Sequence, residues 1–96
     1  MKRKRTARPQ SQESQLAKAA IMEVLDNQLR NNDPPETRAT YERLRQKGID
    51  EAESRRLLAC VIAAEIFDVL KNESAFNLAR FTERLSTLPD TSWLDD

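Results

Sequence analysis

The sequence predicts an all-α fold, a compact bundle of about four helices behind a basic N-terminal arm. Three observations predict it. Apolar residues recur at helical rather than alternating spacing, one glycine and four prolines in 96 residues leave little room for loops, and those few breakers stand where helices should start or stop. No alternating apolar run suggests a strand, and no internal repeat is visible. A chain of this length suits one domain, taken as residues 13–96, with residues 1–12 as the arm.

The arm, "MKRKRTARPQSQ", combines charge, small polar residues and a proline without an apolar repeat, and it reads as disordered. Helix 1 is expected over about 13–31, where Leu16, Ala20, Ile21, Val24 and Leu25 share one broad arc and Glu23, Asn27 and Arg30 stand opposite. Helix 2 is expected over 34–47. Asp33 can cap it, Pro34 and Pro35 occupy first-turn positions that need no amide hydrogen, Glu36 stands as in a capping box, and Thr37, Tyr41 and Leu44 form the inner face. Gly48 supplies the left-handed residue that ends it, with Ile49 contacting Leu44 as in a Schellman motif. Asp50 and Glu53 open helix 3, expected over 51–71. Helix 4 is expected over 77–88: Asn77 caps it, Phe76 and Phe81 form a hydrophobic staple, and Leu78, Phe81, Leu85 and Leu88 make its seam. Pro89 ends helix 4, leaving Trp93 and Leu94 as a flap over the core.

Helix 3 contains the segment that matters most, "LLACVIAAEIFDVL", in which only Glu65 and Asp68 are polar. At about 100° per residue, Ser54, Leu58, Val61, Glu65, Asp68 and Asn72 line one stripe. Charged residues are rarely buried without partners, so Glu65 and Asp68 are expected to mark the water-facing side of a central helix, with the wide apolar arc opposite covered by its neighbours. Leu58 and Val61 lie on the same stripe. A weak homodimer centred on them, with Glu65 and Asp68 at its polar rim, would explain two apolar residues there.

Composition excludes much chemistry. Without histidine there is no usual serine or cysteine triad, and helical carboxylate metal sites usually add histidine at this spacing. A lone glycine rules out a glycine-rich phosphate loop. Cys60, the one cysteine, can form neither an internal disulfide nor a paired-cysteine site, and amid apolar residues it reads as core filler in a reducing cytoplasm. No secretory signal or membrane span is expected. No enzyme, cofactor, metal or small-molecule ligand is inferred.

Charge is balanced overall at 16 basic and 16 acidic residues, but Lys2, Arg3, Lys4, Arg5 and Arg8 leave a body with 11 basic residues against all 16 acidic ones. Any nucleic-acid contact therefore rests on those five residues and would be electrostatic, with no interleaved aromatic to stack on bases. The turn in "LRQKGIDEAESRRLL" superficially matches helix-turn-helix. Against that motif, Lys47 and Ser54 stand where it buries apolar side chains, and the recognition helix would open with Glu51 and Glu53 facing phosphates.

Over residues 33–89 the chain resembles a group of small helical bacterial proteins without an assigned function. The resemblance is carried by Pro35-Glu36-Thr37, Leu44, Gly48, Glu53, Ala59, Glu65 and Leu88-Pro89. These are caps and core positions, so the resemblance implies a shared fold and transfers no catalytic residue. The expected role is a protein-interaction module, pairing with itself or another protein. The alternative is a nucleic-acid-associated accessory factor using the basic arm.

Overall fold

A computed structural model describes residues 12–95. Four helices make the fold: α1 (Gln12–Asn31), α2 (Pro35–Gln46), α3 (Glu51–Asn72) and α4 (Leu78–Thr87), followed by a 3₁₀ turn at Ser92–Asp95. The described residues contain no strand, and every helix boundary falls within one residue of the sequence expectation. Lys2, Arg3, Lys4, Arg5 and Arg8, with the nucleic-acid contact expected of them, lie outside the described residues.

One terminator device is used three times. Asn32, Gly48 and Glu73 each adopt positive φ, at 52°, 91° and 50°. The amide of the following residue then reaches back five positions: Asp33 to the Gln28 carbonyl at 3.1 Å, Ile49 to Leu44 at 3.2 Å, and Ser74 to Val69 at 3.2 Å. These are the long-range bonds of the Schellman motif, which satisfy carbonyls left open at a helix end. At Gly48 the companion bond, from the Gly48 amide to the Arg45 carbonyl, is also made at 3.0 Å.

The helix starts follow expectation at two of three sites. The Asp50 carboxylate accepts from the Glu53 amide at 2.8 Å, and the Asn77 side chain accepts from the Arg80 amide at 3.0 Å. The staple closes as well, with the Phe76 and Phe81 ring centroids 5.4 Å apart. Asp33 does not cap α2. With Pro35 as the first helical residue, Pro34 occupies the cap and offers no side-chain acceptor, so its backbone carbonyl accepts the Thr37 amide at 3.2 Å instead. The Thr37 hydroxyl donates to the Gln28 side chain at 2.8 Å, tying α2 to α1.

The core consists of Leu25, Leu44, Leu57, Leu58, Val61, Ile62, Phe81, Leu85 and Leu88. Four of these nine lie on α3, which packs against α1, α2 and α4 and is the central helix. Its orientation departs from expectation, although Leu57 and Ile62 of the arc expected to be covered are buried. Ser54, Leu58 and Val61 are fully buried and Glu65 is only 3% exposed, so the stripe expected to face water faces the core. Leu58 and Val61 are consequently not available to a second copy, and the dimer seam expected on them is intramolecular packing. On the opposite side, Ile66, Phe67 and Leu70, expected to be covered, are 38%, 61% and 73% exposed. Three smaller corrections follow the same logic. Leu78 on α4 and Leu16 on α1, expected on inner faces, are exposed, and Cys60 is half-buried at a groove edge rather than in the core.

Candidate interaction site

Glu65 can be buried because α4 supplies its counter-charges. Arg80 Nε donates to Glu65 Oε1 at 3.0 Å, Arg80 Nη2 donates to Oε2 at 2.8 Å, and the Asn77 backbone amide donates to Oε2 at 2.9 Å. Arg84 Nη1 lies 2.8 Å from Asp68 Oδ2 and 4.0 Å from Glu65 Oε1. The spacing explains the pairing: acids at i and i+3 on α3 meet bases at i and i+4 on α4, each pair sharing one helix face. Burial alone would push the Glu65 carboxyl up. The Arg80 hydrogen bonds, the Asn77 amide and the charges of Arg80 and Arg84 outweigh it and hold the carboxyl below its usual range. Arg80 is correspondingly held more firmly protonated by its bonds to Glu65.

A carboxylate so held is a poor proton carrier at neutral pH, because it is ionised and all its near neighbours are donors. The cluster fastens α4 to α3. A second fastening acts at the other end of α4, where the Arg43 guanidinium of α2 donates to the Leu85 carbonyl at 2.9 Å and the Leu88 carbonyl at 2.8 Å. An anion thus sits at the start of α4 and a cation at its end, which is the arrangement favoured by the helix dipole. Trp93 completes the corner, with its indole N–H donating to the Thr87 hydroxyl at 2.9 Å and Arg84 stacked 5.2 Å from its ring.

With Glu65 and Asp68 so occupied, the side of α3 that meets solvent is the opposite one. Ala52, Arg56, Ala59, Ala63, Phe67 and Leu70 succeed each other there at steps of three or four residues. Its first half forms one wall of an open groove of about 690 Å³, whose other wall is Ala17, Lys18, Ile21 and Met22 of α1. The floor is apolar. The cationic residues at its edge are Lys18, Arg55 and Arg56. Arg55 is paired with Asp26 at 2.7 Å and Arg56 with Glu53 at 2.7 Å. The second half of the face projects rather than recedes: Phe67 and Leu70 stand out into solvent, with the Lys71 ammonium 5.7 Å from the Phe67 ring centroid.

Sequence reasoning placed Leu58, Val61, Glu65 and Asp68 at an interface. The structure gathers Glu65 and Asp68 with Arg80 and Arg84 in an internal cluster and puts Leu58 and Val61 in the core. The residues it missed, Phe67 and Leu70, were legible as apolar but not as exposed. No group of histidine, cysteine, aspartate or glutamate that could hold a metal ion occurs among the described residues, and none of their helices is long and apolar enough to cross a membrane. No family model, curated protein or solved structure matches the chain.

Proposed function

We propose that this chain is a non-enzymatic protein-interaction module of the cytoplasm that docks its partner on the outward face of α3. The observation that carries the reading is the exposure of Phe67 at 61% and Leu70 at 73% on the central helix, whose opposite side supplies four of the nine core residues. A helix that is apolar all round is normally enclosed, and in a four-helix bundle of this size only one side can be enclosed from within. Clustered rather than scattered apolar exposure marks interaction surfaces. The reading also leaves Glu65 and Asp68 to holding the bundle together, since that acid pair is matched by Arg80 and Arg84 of α4.

The test is affinity capture from the native cell with the full chain and with Phe67→Asp, after thermal melts establish that both are equally folded. Partners retained by the parent and lost by the variant support docking on α3. Equal recovery by both proteins overturns it.

A further inference from the structure

We infer that the partner on this face is a second copy of the same chain, with α3 packing antiparallel on its twofold mate and Phe67 of each copy seated in the groove of the other. This inference rests on reading the outward face of α3 as a docking surface. What identifies the occupant is that the face carries both halves of a fit. Its first half, around Ala52, Ala59 and Cys60, is a concave apolar groove, and its second half is the projecting group Ile66, Phe67 and Leu70. From Cys60 to Phe67 is seven residues, or about 10 Å along the axis.

A knob and a hole displaced along one helix, on the same side of it, are brought together by a twofold axis perpendicular to the helix and midway between them. That midpoint is Ala63. The rotation sets Phe67 against Ala59 and Leu70 against the aliphatic stem of Arg56 in the second copy, and sets Ala63 against its own mate. A methyl group at the crossing lets the helices approach closely. The contact is isologous and closes on itself, so it produces a dimer and not a filament.

Three large side chains, each already partly covered, and their small neighbours bury roughly 1,000 Å² across both copies, at the low end for specific complexes. The small area points to a transient contact rather than a permanent one. Association should therefore be weak and dependent on concentration, with Kd on the order of 10–100 μM. The groove, at about 690 Å³, has room for both Phe67 and Leu70, and six of its nine lining residues are apolar.

Sedimentation of the full chain over about 5 to 500 μM tests the idea, because this range brackets the expected Kd. The parent should pass from monomer to dimer, while Phe67→Asp, which removes the knob, and Ala59→Trp, which fills the hole, should remain monomeric throughout with unchanged melting. Register is read by oxidative cross-linking in a Cys60→Ala background. Helices 8–10 Å apart with Cα atoms about 2.3 Å off axis leave positions at the crossing within disulfide reach. Ala63→Cys should cross-link, and Ala52→Cys, some three turns from the axis, should not. A parent that stays monomeric, a dimer that survives both substitutions, or cross-linking at position 52 in place of 63 overturns the inference. A monomeric parent that still captures a partner through Phe67 overturns self-pairing alone. A parent that neither self-associates nor captures a partner overturns the docking reading with it.

Discussion

Replacing Arg80 by Met separates the two orientations that α3 could have. If Glu65 faced water, Arg80→Met would break an exposed ion pair and cost between 0 and about 1 kcal/mol. With Glu65 3% exposed, the substitution leaves a buried carboxylate with the Asn77 amide as its remaining hydrogen-bond donor and Arg84 at 4.0 Å. Removing one partner of a buried pair typically costs about 3–5 kcal/mol. The Arg80 side chain is 29% exposed and Arg84 gives partial compensation, which reduces the expected loss to roughly 2–3 kcal/mol. Met preserves the apolar stem, so lost packing contributes little. Urea unfolding at neutral pH measures the loss.

The pH dependence provides the signature. In the parent, the Glu65 carboxyl is held below its ordinary value of 4.5, so its contribution is complete above that pH and disappears as pH falls through the depressed value. In Arg80→Met, burial dominates and raises the carboxyl instead, so protonation relieves the penalty as pH falls. The stability gap between parent and variant should therefore narrow from pH 7 to pH 4. A gap below about 1 kcal/mol at pH 7, or one that is constant with pH, would refute the internal placement of Glu65.

Three further outcomes are expected. Arg43→Met removes both side-chain bonds to the end of α4, and it should cost about 2 kcal/mol and speed amide exchange selectively over residues 85–90. Gly48→Ala should cost about 1 kcal/mol and Gly48→Val more in thermal unfolding, through backbone conformation alone, because an added Cβ meets nothing within 4 Å; a neutral valine would contradict the left-handed turn. Val61→Glu places a charge at a fully buried position and should abolish cooperative unfolding, seen as loss of the sigmoidal melt, whereas a folded variant would put Val61 outside the core.

What could be read from sequence was local. The Asp50 and Asn77 caps, the Phe76–Phe81 staple and the Gly48 terminator each draw on residues within five positions, and all four stand as expected. The orientation of α3 was not local. A helix with apolar residues around most of its circumference has no preferred side, and the two acids that seemed to decide the matter are paired with groups 12 to 19 positions away, which bury one of them. A signal did exist, since two acids spaced i, i+3 on one helix match two arginines spaced i, i+4 on the next. Arg43 offered less, because its acceptors are backbone carbonyls 42 and 45 positions on, and nothing in residue type marks a carbonyl as needing a donor. Asn32 is a residue type that tolerates positive φ, whereas Glu73 is not.

The opposed charges that grip the two ends of α4 bear on the order in which the chain acquires structure. Ten residues are too few for a helix to persist alone in water, because nucleation outweighs so short a propagation. The groups that complete it, Glu65 and Arg43, lie on two different helices and must already stand in register before either end can close. On that dependence α4 is expected to order after the helices that hold its ends, so substitutions at Phe81 or Leu85 should speed unfolding and leave the folding rate nearly unchanged.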